Sequence, residues 1–443
     1  MKRSCDFAEL DLFSECDENP LFEKVLWDEF PCDDVLSNDV TQLNFTLRPA
    51  GKRSMIDLKR AQLYVKVQIV HKDGTALADI GSGPSIKRAN AQVATINNSL
   101  HSMFEDCTVY LNNVEAFSAN GQYNIRSYIE DLFDTTDEQK ESFMTAQGWY
   151  KDTANSFDQA NAALNKGWGK RAQFFGADSQ GLIGKLHSEL FNQHRYLLDD
   201  VEVKVQLTLA KPKFFLISAM KDANNKNVEY KIKIKDARMY VPYVHLSEKA
   251  MNEIQDTLKK KDAVYPIKRI MTKSIPINTK TVQHNIEKVS TGQLPTKMIV
   301  GFVDSAAKQG DISTNPLNFD DHDLQKIELR VNGMPYSKRA LTAKFDEQNY
   351  AKTYMNLFES LNYIEEGSNT PPITKEDFSG GYALYAFNLS PCPEDSGVFR
   401  EKGDVSIDLS FKEGTNKDLQ MIMMFVYDNC LKIDKDRNFT KDW

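Results

Sequence analysis

The chain has 443 residues, 41% of them hydrophobic and 10% aromatic, with a formal net charge of −8. This length exceeds one ordinary domain and this composition excludes global disorder, so two or three domains with sizeable cores are expected. Residues 1–40 hold twelve Asp/Glu against three Lys/Arg, a charge of −9, which leaves +1 for the rest and argues against a dedicated DNA-binding protein, since such proteins carry a basic stripe.

Residues 1–40 read as an acidic N-terminal arm that also carries Phe7, Leu10, Phe13, Phe22, Val25, Leu26, Trp27 and Phe30. Two readings are open for it: a disordered tail, or an acidic-hydrophobic segment that orders on a partner surface. Leu43–Leu47 is the first strand signal. A longer one follows, with a Leu63/Val65/Val67/Ile69 face opposite Tyr64/Lys66/Gln68. Ile96, Leu100, Met103 and Phe104 recur at helical spacing, with Asn97 and Asn98 as capping candidates.

The next stretch has a counterpart in the second half. Cys107–Glu115 is an alternating strand with an Asn112-Asn113 turn, and Tyr123–Phe133 is an amphipathic helix ending in Leu-Phe. Ile327–Tyr336, with Asn332-Gly333, and Tyr350–Leu361 repeat that order. Later landmarks extend the parallel. Gly381–Leu389 echoes Gly181–Phe191, Val405–Phe411 echoes Val201–Leu207, and Met421–Tyr427 echoes Phe214–Ile217. A period near half the chain indicates two copies of a whole domain rather than a solenoid.

Within the first copy, 134–178 is a long polar loop insertion bearing Trp149, Tyr150 and Trp168, candidates either for intersubunit contacts or for core. Residues 220–228 read as the linker. Tyr230–Lys235, continuing through Met239–Val241, reads as the opening strand of the second copy. Ser247 then caps a helix with Met251, Ile254 and Leu258 on one face. Many short strands, few helices and no βαβ rhythm predict a mainly β protein: two tandem antiparallel jelly-roll (β-sandwich) domains at 41–222 and 229–437, a few short helices in the loops, and a tail at 438–443.

Chemistry is sparse. Cys5, Cys16, Cys32, Cys107, Cys392 and Cys430 form no C-x-x-C pair and fit reduced thiols. No apolar run reaches the roughly 20 residues of a membrane span, and the first residues hold no secretory h-region. Phosphate-loop, dinucleotide, nucleophile-elbow and zincin motifs do not occur. The histidines (His71, His101, His187, His194, His245, His284 and His322) sit at spacings that bring no two onto one helix face. Asp320-Asp321-His322-Asp323 is the one compact acid/His cluster, with a solvated loop tip as its simplest reading and a divalent cation as the alternative. Lys259-Lys260-Lys261 reads as a helix C-terminus rather than a phosphate site, and Glu365-Glu366 carries no acid-base signal. No residue is assigned as catalytic, cofactor-binding or metal-ligating, no cofactor is expected, and the chain is read as not an enzyme.

Several segments together carry a resemblance. They are Glu9–Phe13, Ser99–Phe104 with Val109–Asn112, His187–Leu198, Tyr265–Arg269, Gly292–Pro295 running into Val300–Asp304, Tyr354–Glu359, and Asp377-Phe378 with Gly381–Phe387. In this order the chain resembles the major capsid proteins of Polinton (Maverick) elements and adintoviruses over most of its length. The resemblance implies a double jelly roll, a homotrimer forming a pseudo-hexameric capsomer, and an icosahedral capsid as the location in the virion. Expected partners are other copies of the chain and a penton-type minor capsid protein, with no membrane span and no specific nucleic-acid binding. Synthesis in the host cytoplasm and nuclear assembly are the expected setting. A glycan- or protein-binding double sandwich and a penton-type minor capsid protein remain the alternatives.

Overall fold

The computed structural model describes residues 21–36, 39–48, 53–77, 92–176, 178–337, 340–364, 373–390 and 401–443. Among the described residues, sixteen strands make the main sheets of two similar lobes, with a few shorter strands beside them. In the first they are β1 (Phe22–Pro31), β2 (Gln42–Leu47), β3 (Gln62–His71), β4 (Phe104–Leu111), β5 (Val114–Ser118), β6 (Gln180–Gly184), β7 (Val203–Leu209) and β8 (Tyr230–Leu246). One sheet runs β1-β8-β3-β6 and the other β2-β7-β4-β5, with every neighbouring pair antiparallel.

The second lobe repeats this strand for strand. Its members are β9 (Ala263–Ile277), β10 (Gln283–Gln293), β11 (Lys297–Asp304), β12 (Leu324–Val331), β13 (Met334–Pro335), β14 (Leu384–Asn388), β15 (Lys402–Phe411) and β16 (Leu419–Ile433). Their sheets run β9-β16-β11-β14 and β10-β15-β12-β13, so each strand of lobe one corresponds to the strand eight places later.

Strand alternation explains the sandwich. Leu43, Phe45 and Leu47 of β2, Leu63, Val65, Val67 and Ile69 of β3, and Val203, Val205 and Leu207 of β7 are buried, while the residues between them are half-buried. The two equivalent hairpins turn through left-handed residues: Asn112 and Asn113 (φ 48° and 65°) between β4 and β5, Asn332 and Gly333 (φ 52° and 77°) between β12 and β13. Positive φ at both central positions matches the right-handed strand twist and favours Asn and Gly. Helix α1 (Tyr123–Asp134) follows β5, and its counterpart follows β13 as Ala351–Ser360.

The pairing corrects the sequence reading in three places. Strand β8, expected to open the second copy, pairs with β3 from Tyr230↔His71 to Tyr240↔Gln62 and closes the first lobe. The true counterpart of Met421–Tyr427 is therefore β8, not Phe214–Ile217, which makes a short pair with Ala94-Thr95. The polar run at 220–228 turns back within lobe one, where Asp222 N donates to Lys226 O (2.8 Å). The lobes are instead joined by a helix, Glu248–Leu258, whose cap is Ser247 as expected: its hydroxyl accepts from Ala250 N. Second, Phe22–Pro31 of the acidic arm is strand β1, hydrogen-bonded along β8 from Phe22↔Leu246 to Pro31↔Arg238. Residues 1–20 of the arm lie outside the described residues. Third, the C-terminal tail adds a short strand, Phe439–Lys441, to β16.

The 134–178 insertion is packed structure. It contains helix α2 (Lys166–Phe175) and two short helical segments, Asp137–Glu141 and Phe143–Gln147. Its 152–158 segment docks on the second lobe. Asn155 N donates to Gly380 O (2.8 Å), Asn315 N to Asp158 Oδ1 (2.6 Å), and Phe157 meets Tyr382 edge-on at 5.0 Å.

Candidate functional site

The most polar interior of the molecule surrounds α1. Residues Tyr123–Phe133 are all buried, so the charged groups on this helix must find partners inside the protein. Arg126 Nε donates to Glu130 Oε1 (2.7 Å), one turn on, and Arg126 Nη1 to Glu189 Oε1 (3.0 Å) from the segment after β6. Glu189 Oε1 also accepts the backbone N–H of Ile270 in β9 (3.2 Å), which ties the cluster to the second lobe.

Two histidines complete it. His187 Nδ1 lies 2.6 Å from Glu130 Oε2 and its Nε2 lies 3.2 Å from Asp131 Oδ2. His101 meets the His187 ring edge-on at 4.7 Å, and its Nδ1 is 2.9 Å from Tyr123 Oη. Asp131 Oδ2 further accepts from Asn98 Nδ2 (2.7 Å) and Gln147 Nε2 (2.8 Å). Asn98, expected as a helix cap, sits at φ 57° with no capping hydrogen bond and holds Asp131 instead.

Burial and charge work against each other here. Burial disfavours the Glu130 carboxylate, but Arg126 and His187 outweigh it and hold the group at about 2. Burial likewise opposes charge on His187, and Asp131 with Glu130 overcomes it, raising the ring to about 10. His101 is driven down to about 3, first by burial and then by the charge of His187. Its Nε2 has no hydrogen-bond partner. A cavity of about 440 Å³ lies against the cluster, bordered by Glu130, Asp131, Gln147 and His187, with exposed Asp134 and Phe143 also lining it.

The second feature is an apolar surface. Strand β1 ends its sheet among the described residues, and it leaves Phe22, Val25, Leu26 and Trp27 44, 43, 44 and 50% exposed. A groove of about 570 Å³ continues from it, between Leu21, Phe22, Tyr196, Ile254 and Leu258.

Residues singled out in the sequence fall elsewhere. Trp149 and Trp168 are core: Trp149 stacks on Tyr128 at 5.4 Å, and Trp168 Nε1 donates to Ile217 O (3.3 Å). Tyr150 is half-buried. Asp320–Asp323 forms a turn before β12, where Asp321 Oδ1 accepts from Asp323 N (2.9 Å). The one group of His, Cys, Asp and Glu side chains able to share an ion among the described residues is His101, Asp131 and His187 instead. Lys259, Lys260 and Lys261 are exposed at a helix end, and Glu365-Glu366 lies outside the described residues. Spacing missed the His101/His187 pair because the two residues come from segments far apart in the chain, a short helix at Ser99–Ser102 and the loop after β6. The usable signal was three charged residues, Arg126, Glu130 and Asp131, within a helix whose Ile125, Ile129, Leu132 and Phe133 mark it as a core element.

No family profile matches the chain. A Caenorhabditis elegans chain described as uncharacterized protein F54H12.2 is 25% identical over 393 residues, covering 88% of this chain and 90% of that one. Among solved structures, a chain of the Sputnik virophage aligns over 99% of this chain and 92% of its own, with a TM-score of 0.63 and 12% identity. The PBCV-1 virus capsid aligns over 97% and 99%, with a TM-score of 0.58 and 10% identity. The mavirus major capsid protein aligns over 94% and 90%, with a TM-score of 0.54 and 13% identity. The fold is a double jelly roll. Both lobes take part in each alignment, so the likeness extends to the paired arrangement and not to one sandwich alone.

Proposed function

We propose that the chain is a major capsid protein that trimerises into a pseudo-hexameric capsomer and builds an icosahedral shell. The observation that carries this is the duplication itself: one eight-strand arrangement occurs twice in the chain, with equivalent sheet orders. Three such chains place six similar lobes around one axis, which tiles a hexagonal lattice. Covalent linkage of two unequal lobes lets neighbouring contacts differ. Structures of the same double arrangement come from viral capsids, and the Polinton and adintovirus resemblance points the same way.

The exposed apolar edge of β1 supports the reading, since an uncovered hydrophobic strand edge is a hazard that subunit packing removes. Obligate interfaces of this kind commonly bury roughly 2,000–5,000 Å². A penton-type minor capsid protein is the expected partner, the virion the location, and self-assembly without chemistry on a substrate the whole activity; nuclear assembly after cytoplasmic synthesis belongs to the same reading.

The test is the mass of the purified protein at micromolar concentration by light scattering, with negative-stain imaging of the same sample. A trimer with six-lobed particles is the expected result. A stable monomer would sink the proposal, and a monomer that binds glycans without forming shells would favour the binding-module alternative.

A further inference from the structure

We propose that His101, Asp131 and His187 form a binding site for one divalent transition metal ion, with zinc the best match. Each residue can offer one ligand atom, and the three atoms lie within 4.8 Å of one another. A tetrahedral zinc with bonds of about 2.0–2.1 Å needs ligand atoms roughly 3.3 Å apart, so small side-chain rotations close the set. Two imidazoles and a carboxylate are a donor set that zinc takes readily.

The surroundings are those of a metal site's outer shell. Metal-bound histidines characteristically engage their other ring nitrogen with a carboxylate, carbonyl or similar partner. Here Nδ1 of His187 faces Glu130 Oε2 and Nδ1 of His101 faces Tyr123 Oη, so the Nε2 atoms are the ones that would turn to the ion; that of His187 now meets the third ligand, Asp131 Oδ2, at 3.2 Å. Asp131 is held in turn by Asn98 and Gln147. Most telling is Nε2 of His101, a fully buried nitrogen with no partner. Leaving such a group unsatisfied is costly, and a metal bond removes that cost. The adjoining cavity reaches two of the three residues, Asp131 and His187, and gives an ion a way in from that side.

Charge is compatible with an ion: three carboxylates, Glu130, Asp131 and Glu189, surround one guanidinium, Arg126, and the His187 ring. Metal and proton compete for His187, as they do at any imidazole ligand.

The jelly roll itself does not demand this cluster. When the two equivalent helices are aligned on their Leu-Phe ends, Glu130 and Asp131 correspond to Met355 and Asn356. There Asn356 merely donates to Ala386 O (2.8 Å), and Met355 is 41% exposed.

The experiment uses the full-length protein, stripped of metal, exposed to zinc chloride and desalted, with bound zinc measured by mass spectrometry and melting followed with and without zinc. Expected are one zinc per chain and a higher melting temperature, both retained in His194→Gln, an exposed histidine outside the cluster. His101→Gln, shown folded by circular dichroism, should lose stoichiometric zinc. If that variant does not fold, Tyr123→Phe, which keeps the ligands and removes the hydroxyl that meets His101 Nδ1 and accepts from His187 N, should bind about 10–100-fold more weakly. Folded wild-type protein that takes up no zinc, or a folded His101→Gln or Tyr123→Phe variant that binds as tightly as wild type, overturns the proposal.

Discussion

Arg171 Nη2 and Asp152 Oδ1 stand 2.6 Å apart with both side chains at 0% exposure. Arg171 reaches from α2 and also donates to Thr95 O (2.7 Å) and Tyr150 O, so one guanidinium holds the insertion to the first lobe's core. Asn165 Nδ2 joins at Asp152 Oδ1 (2.8 Å). Removing one partner strands a buried charge. Arg171→Leu is therefore expected to destabilise the protein by about 3–5 kcal/mol in chemical denaturation. Adding Asp152→Leu should cost much less than the sum of the two single changes, because the second removes the charge the first left unpaired.

Phe157 belongs to the same insertion but contacts the other lobe. Its ring lies on Tyr382, and a Cβ built on Gly381, whose φ is +114°, would stand 2.3 Å from it. Phe157→Ala should cost about 3–5 kcal/mol, as large buried aromatic truncations do. Because the contact spans two lobes, the loss should also appear as earlier proteolysis between them, read by limited trypsin digestion. A variant as protease-resistant as wild type would show that the lobes are held elsewhere.

The equivalent hairpins offer a cleaner test of backbone strain. A Cβ on Gly333 would meet nothing within 4 Å, so Gly333→Val probes conformation rather than crowding. Its φ of +77° predicts a loss of about 1–2 kcal/mol. Asn113→Gly, at φ 65° in the other hairpin, should leave the melting temperature unchanged or raise it slightly.

Lys140 is a buried cation that closes the end of α1, donating to Leu132 O (2.7 Å) and Thr135 O (2.9 Å). Burial lowers it from the ordinary 10.5 to about 8. Between these values the unfolded chain binds the extra proton, so this lysine's contribution makes stability rise as pH increases from about 8 to 10.5. Lys140→Met should lack that rise. The check is a series of melting temperatures across this range for both proteins, and equal slopes would contradict the assignment.

Much of each lobe was legible without coordinates. Alternation marked the inward faces of β2, β3 and β7, Asn-Asn and Asn-Gly marked the hairpins, and Ser247 marked the start of its helix, since each is a consequence of backbone geometry within a few residues. The repeat was legible for the same reason. The placement of β8 was not: Tyr230–Leu246 reads equally well as the last strand of one lobe or the first of the next, because alternation identifies a strand without naming its partner. Phe22–Pro31 was obscured by its charge, which marks exposure and says nothing about an edge strand. The sequence by itself determined that the chain is two copies of one β domain, since local periodicity and turn chemistry are written residue by residue. Only the tertiary structure decided where the first copy ends, that Trp149 and Trp168 are core, and that His101 meets His187, since pairing and burial depend on segments far apart in the chain.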